Sequence, residues 1–372
     1  MNKINIISGA NGGFLNDGEL VGGIYSDIPF SVYKQIKALN HSRLKSSFTS
    51  MAHFNYEQNN PADVEIYNRQ LTGGSLTHAL ALTPKEVNNH FFLFPSPEDY
   101  PNALHTLSDL QGYLIKHLQT CPSTKSGCVD LVREIDPDAY IFDDIVEKSL
   151  RSGWGDKAFN HAMGLASNRI SSVISKHSEP SVRRMANKMG VTKSDWDLCL
   201  RCANSVITHP RVARYLKNGK AELTLIAYDS NHKMWLKCRL DWLYNSSVPL
   251  DLKTTSGTGT YDFKKACLRY NYDTQEAFYL HVAALLGIEL APMEFIAVET
   301  ALPNLVTPYA LDSICRERAK GLVISHLSKI QQSMTTGKWD AYSVGNELVT
   351  LKLNRKSGVF TQSDVSSFTN YF

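Results

Sequence analysis

Three strand-length runs lie end to end between residues 221 and 255: "AELTLIAY", "KMWLKCRLDWL" and "VPLDLKTT", joined only by "DSNH" and "YNSS". Connections of this length cannot house a crossover helix, so the runs must lie side by side as an antiparallel meander. The alternation inside them assigns faces. Asp251 and Lys253 point one way and Leu252 the other, while Lys237, Arg239 and Asp241 share one side of the middle run.

The flanking segments complete a layered pattern. "SGTGTYDF" reads as a polar loop. "YDTQEAFYLHVAALLG" reads as a helix with Asp273 or Thr274 near its start and Gly287 at its end. "MEFIAVET" is a fourth strand, and residues 314–334 form a long amphipathic helix with Ile314, Leu322, Leu327 and Ile330 on its apolar side. Upstream, Gly73 and Gly74 open a short apolar helix that Pro84 stops, and Asn40 or Ser42 caps another before Leu44. Residues 104–190 carry several helical stretches without a chemical constellation; Asp136, Asp138, Asp143 and Asp144 read as a solvated acidic surface.

These patterns predict a mixed α/β protein with a central sheet flanked by helices. They divide the chain into a flexible N-terminal tail (1–23), one domain (24–345) and a C-terminal tail (346–372). The domain has a core at 70–95 and 215–312 and a helical insertion at 104–190. "GANGG" near the start lacks the Gly-Lys-Ser/Thr ending of a phosphate-binding loop. At 372 residues, 43% hydrophobic and 20% charged, the chain has material for a large core. No apolar run approaches the length of a bilayer span, and the N-terminus lacks the pattern of a secretion signal, so a cytoplasmic location is expected. A net charge of +3 neither announces nor excludes nucleic acid. Seven irregularly spaced cysteines suit a reduced compartment. The single C-x-x-C, Cys199 and Cys202, falls on a helical stripe with Trp196, Ala203 and Val206 and reads as core.

The chemistry centres on the acids of the meander. Asp251 and Lys253 alone suit either a surface ion pair or a metal-ligand carboxylate beside a lysine. Glu222 starts the first run and Asp241 ends the second, so adjacent strands bring Glu222, Asp241 and Asp251 toward one another. Converging carboxylates repel and raise one another's pKa, a conflict that a divalent cation removes. Oxygen ligands favour Mg²⁺, with Mn²⁺ as substitute, and Mg²⁺ commonly joins one or two carboxylates to a phosphate. Phosphoester hydrolysis follows as the expected reaction. Lys253, held beside carboxylates, stays charged and orients the attacking water. Gln275 and Tyr279, four apart, share a helix face. On residue type alone His78 reads as a core or capping histidine.

Taken in order, G-x-x-x-H (Gly74 to His78), Glu222, Asp241, D-x-K (Asp251 to Lys253) and Q-x-x-x-Y (Gln275 to Tyr279) resemble the PD-(D/E)xK nuclease superfamily. The wording of "GGSLTHALAL", "KCRLDWL", "LDLKTT" and "NYDTQEAFYL" is most similar to its RecE-type, exodeoxyribonuclease VIII-like branch of phage and prophage exonucleases, relatives of lambda exonuclease and the RecB nuclease domain. The resemblance implies a restriction-endonuclease-like core. It makes Asp241 and Asp251 the main metal ligands, joined by the Leu252 carbonyl and by His78 as ligand or near-ligand. Lys253 becomes the catalytic lysine, with Gln275 and Tyr279 supporting the site and DNA. Glu222 matches the glutamate before the meander, with Glu276 and Glu294 as alternatives.

The implied activity is Mg²⁺-dependent 5′-to-3′ digestion of linear double-stranded DNA from its ends, exposing single strands for recombination. A ring-shaped homo-oligomer and a single-strand annealing partner come with it. The alternatives are a structure- or site-specific endonuclease of the same fold and an inactive DNA-end-binding protein. Lys264, Lys265 and Arg269 would contact backbone phosphates, and Arg316, Arg318 and Lys320 form a second basic group. Tyr261, Phe263, Tyr270 and Tyr272 are candidates to stack a terminal base.

Overall fold

In the computed structural model, which describes residues 5–10, 12–60 and 69–342, one mixed sheet runs through the molecule and its strands follow one another in chain order. They are β1 (Ile6–Ser8), β2 (Gly23–Ser26), β3 (Gly219–Asp229), β4 (Met234–Tyr244), β5 (Val248–Thr255), β6 (Glu294–Glu299) and β7 (Val306–Ala310). The helices that position the site are α1 (His41–Thr49), α2 (Arg69–Leu82), α3 (Lys193–Thr208), α4 (Thr260–Tyr270), α5 (Tyr272–Leu285) and α6 (Ser313–Thr336).

The meander β3–β4–β5 is antiparallel, as its short turns demand. From β5 the chain crosses through α4 and α5 and returns as β6, parallel to β5 and in register Asp251 to Phe295. A parallel neighbour needs such a crossover, and the two helices supply it. Helices cover both sides of the sheet. Leu223, Leu225, Leu236, Cys238 and Leu240 pack against Phe278 and Val282 of α5 and Val323, Leu327 and Ile330 of α6. Leu252, Ile296 and Val298 pack against Ala81 of α2 and Cys202, Ala203 and Val206 of α3. Leu252 therefore faces one helical layer while its neighbours Asp251 and Lys253 turn toward α5.

Several expectations need correction. Within the supposed N-terminal tail, Ile6–Ser8 pair in parallel with Ile24–Ser26, and Phe14 is buried against Tyr25. Their partners lie in β2, itself paired to β3 some two hundred residues on, so local pattern does not betray them. The C-terminal tail, 346–372, lies outside the described residues. "SGTGTYDF" is a loop only to Gly259. From Thr260 it turns into α4, because Phe263 and Cys267, one turn apart, have a core to meet at Phe295. Ile314 is 80% exposed, and the buried stripe of α6 runs through Ala319, Val323, Leu327 and Ile330 instead. Gly73 and Gly74 lie inside α2 rather than at its start.

Between residues 107 and 185 a set of helices buries its own clusters, one around Leu110, Val129 and Ile141 and one around Leu150, Trp154 and Phe159. The strand Phe91–Leu93 enters this region and pairs with Met189–Val191, which leaves it, so the insertion closes on itself. Its acids have local partners: Asp143 with Lys125, Asp144 with Arg133, and Asp136 with the Tyr113 hydroxyl. No described helix is long and apolar enough to cross a membrane.

Candidate active site

The site opens where β4 and β5 part. Their ladder pairs Tyr244 with Val248, Leu243 with Pro249 and Trp242 with Leu250, and goes no further. At the next position the side chain of Asp241 replaces a strand partner: its Oδ2 accepts the backbone N–H of Leu252 at 2.8 Å. A buried N–H must find an acceptor. Asp241 meets that need and holds the two strands apart at the point where Asp251 emerges.

Above the gap lies α2. His78 places Nε2 2.6 Å from the Leu252 carbonyl and Nδ1 3.3 Å from Oδ2 of Asp241. Gly74, one turn earlier, lets the helix come this close: a Cβ there would stand 3.3 Å from Oγ1 of Thr254 on β5. The G-x-x-x-H spacing thus combines a close helix–strand contact with a histidine aimed at the meander. Burial lowers the pKa of His78 despite the nearby Asp251 charge, so its ring is held neutral.

On the α5 side, Gln275 bridges the D-x-K pair. Its Nε2 donates to Oδ1 of Asp251 at 2.7 Å, and its Oε1 accepts from Nζ of Lys253 at 3.0 Å. This amide orientation alone gives both charged neighbours a favourable partner. Lys253 Nζ also lies 2.6 Å from Oδ2 of Asp251 as an ion pair. It sits 4.5 Å over the ring of Tyr272. Burial opposes the lysine's charge, but Asp251 and Asp241 outweigh it and its pKa lies above the ordinary lysine value.

Glu222 sits across from Asp241 at a break in the β3–β4 ladder, with φ of +52°. Its carboxylate lies 3.5 Å from Arg239, and its pKa is raised by burial and then by the Asp241 charge. Of the alternatives, Glu276 is buried and accepts the Met293 N–H, and Glu294 pairs with Arg211 and Tyr215. Neither joins the group. Tyr279 follows Gln275 along α5; burial, then Tyr33 and Asp251, hold its hydroxyl protonated. Lys237 and Arg239, on the same face as Asp241 in sequence, serve another end. Both sit over the ring of Tyr33, Lys237 donates to the Tyr33 and Ile36 carbonyls, and Arg239 donates to that of Ile28.

Two neighbours, His41 and Lys45, escape the sequence reading, and a third is read there for another role. Tyr272 is visible there only as an aromatic candidate for stacking on a base; in the structure its ring lies under Lys253. His41 bonds Thr274 at 2.9 Å, tying α1 to the start of α5, and burial followed by Lys45 and Lys253 lowers its pKa to about 3. Lys45 stands close enough to Lys253 that burial and that second ammonium both lower its pKa. No motif spacing links residues 41 and 45 to residue 253; only the fold does.

Lys264, Lys265 and Arg269 lie exposed along α4, and none forms an ion pair among the described residues. Lys265 rests over Tyr261, which is also exposed, whereas Phe263 is core and stacks on Tyr309. Arg318 and Lys320 are exposed on α6, with Arg316 partly covered. Cys199 and Cys202 are buried, and their thiols meet separate carbonyls, of Gly73 and Glu299.

The residues fit a divalent cation. Oδ2 of Asp251 is buried without an aligned hydrogen bond. Asp241 beside it has its pKa raised to about 8 by burial and then by the Asp251 charge. Two buried carboxylates in conflict are donors that a cation would relieve, with Nδ1 of His78 and the Leu252 carbonyl beside Asp241.

A protein family described as a PDDEXK-like domain of unknown function matches residues 30–351. No curated protein matches the chain. A crystal structure of a candidate exonuclease from Eubacterium rectale superposes with a TM-score of 0.47 at 10% identity, over 88% of this chain and 97% of that one.

Proposed function

The chain belongs to the family of PDDEXK-like domains, and from that premise we propose that it is a divalent-metal-dependent deoxyribonuclease. Its substrate in this reading is linear double-stranded DNA, digested from its ends. One observation supports the hydrolytic reading: the buried carboxylates of Asp241 and Asp251 flank the end of the β4–β5 ladder, with His78 and the Leu252 carbonyl beside Asp241 and with Lys253 paired to Asp251. The 5′-to-3′ direction, the service to recombination, the homo-oligomeric ring and the annealing partner rest on the motif resemblance.

When bound by those four donors, Mg²⁺ or Mn²⁺ would neutralise phosphate charge and lower the pKa of a water. The chain's own groups do the rest. Lys253 keeps its proton, so it orients the attacking water and stabilises charge on the phosphate rather than abstracting a proton. Gln275 fixes both Asp251 and Lys253, and the face of Tyr272 stabilises the ammonium. Asp241 is anchored by the Leu252 N–H, which leaves its carboxylate little freedom to turn away.

The test is digestion of a linear duplex labelled in turn at each 5′ and 3′ end, with Mg²⁺ and with EDTA, beside a covalently closed circle. The proposal expects Mg²⁺-dependent release that begins at 5′ ends and an intact circle. Cutting of the circle would replace an exonuclease with an endonuclease. Duplex ends bound but never hydrolysed would leave only a binding protein.

A further inference from the structure

We propose that Asp229, His232 and His281 form a second cation site, selective for a zinc-class ion and separate from the nuclease centre. Asp229 ends β3, His232 lies in the turn before β4, and His281 projects from α5. Asp229 pairs with Met234 on β4, seven residues from Asp241, which puts the two centres about 24 Å apart along the strand.

The Asp229 carboxylate is fully buried. Oδ1 accepts the backbone N–H groups of Asn231 at 3.0 Å and His232 at 3.2 Å, so the group is anchored by one oxygen. Oδ2 faces Nδ1 of His232 at 2.7 Å and Nε2 of His281 at 2.8 Å. The three donor atoms lie within 4.8 Å of one another.

A partner on the far side of His232 can free its Nδ1 for a ligand. The Ser328 hydroxyl donates to the Ile324 carbonyl at 3.0 Å, so its oxygen is left to accept from Nε2 of His232 at 3.2 Å. With its proton on Nε2, a neutral His232 would present the Nδ1 lone pair to an ion shared with the carboxylate oxygen now 2.7 Å away. Without metal a proton fills each of these short contacts; a cation would displace the protons and join all three donors. A ligating histidine whose far N–H is held by another group is the usual arrangement around bound metals.

Two imidazole nitrogens with one carboxylate suit Zn²⁺ and its neighbours better than Mg²⁺. Zinc bonds of about 2.0–2.2 Å require each donor pair to open by roughly half an ångström. His281, with 17% of its side chain exposed, offers the entry path and leaves room for water as a further ligand. A bound ion would staple the β3–β4 turn to α5, the helix that carries Gln275.

The test uses untagged full-length protein carrying Asp251→Asn to weaken the nuclease centre, stripped with EDTA and dialysed. Titration with Co²⁺ should produce visible d–d bands saturating at one equivalent, without the near-ultraviolet band that a cysteine thiolate adds. Zn²⁺ should displace the Co²⁺ and raise Tm by several degrees, and adding His281→Ala should abolish both effects. Absence of the bands, a thiolate signature, or bands unchanged by His281→Ala would each overturn the proposal. If His281→Ala does not fold, His232→Gln takes its place in the comparison. In that case, imidazole proton resonances that show His232 protonated on both nitrogens with Zn²⁺ present would also overturn it.

Discussion

Oδ2 of Asp241 accepts the Leu252 N–H at the position where the β4–β5 ladder stops. One carboxylate thus ends a strand pairing, satisfies the orphaned donor and borders the gap into which Asp251 projects. The fold and the candidate chemistry meet in this bond, which separates what charge does from what hydrogen bonding does.

Asp241→Asn keeps an acceptor for Leu252 and removes a charge that burial disfavours. Metal-free Asp241→Asn should melt at or above the wild-type temperature, while Asp241→Ala, which strands the N–H, should be about 1–3 kcal/mol less stable than Asp241→Asn. Both should lose more than about 100-fold in hydrolysis, since even partners one shell removed from a metal are worth about 10–100-fold. Thermal melts in EDTA and a nucleotide-release assay check the two parts separately.

The raised pKa of Asp241 sets a pH signature. The folded protein holds this proton up to about 8 and the unfolded chain releases it near 3.8. Between those values the native state binds more protons than the unfolded state, so this group makes stability fall as pH rises. Metal binding needs the ionised form and should strengthen over the same window. Melts of metal-free protein from about pH 4 to 8 should show the fall, which Asp241→Asn should flatten, and Mn²⁺ affinity should rise with pH.

Gln275 contacts the reacting groups only through Asp251 and Lys253. Gln275→Ala should lower kcat about 10- to 100-fold with little change in KM. Gln275→Glu should do worse than alanine, because it sets a carboxylate against Asp251. Steady-state kinetics on a labelled duplex distinguish these outcomes.

Tyr272 supplies a ring face to Lys253. Tyr272→Phe should retain nearly full activity, and Tyr272→Leu should lose both activity and roughly 0.5–2 kcal/mol of stability. Equal loss in the two variants would transfer the role to the hydroxyl.

The features legible in the sequence are those whose signal is local. Short turns dictate the meander, and period-two alternation puts Asp251 and Lys253 on one side and Leu252 on the other. The edge strand β1 and its neighbour β2 do not announce themselves, since three or four residues gain strand character only from distant partners. β7 carries Pro308, which reads against a strand yet is tolerated at a sheet edge. The Asp241–Leu252 bond joins a side chain to a backbone group across strands, which no periodicity encodes. The gathering of His41, Lys45 and Tyr272 around Lys253 depends on how α1 and α5 dock.

The exposed bases of α4 make a separate prediction about affinity. Replacing Lys264, Lys265 and Arg269 with alanine should leave the melting temperature within a degree or two and weaken duplex binding equally across sequences. The slope of log K against log salt should drop by about 3, one for each phosphate that is no longer neutralised. An unchanged slope would remove α4 from the DNA path.

The central claim is that Asp251, with its neighbours, holds the cation that hydrolyses DNA. The most direct measurement compares acid-soluble nucleotide release from linear duplex DNA by wild type and Asp251→Asn across a Mg²⁺ titration, with circular dichroism confirming that both are folded. The account predicts Mg²⁺-saturable release by wild type and none by the variant at any Mg²⁺ concentration. Equal release by both proteins, or release by wild type that persists in EDTA, would contradict it.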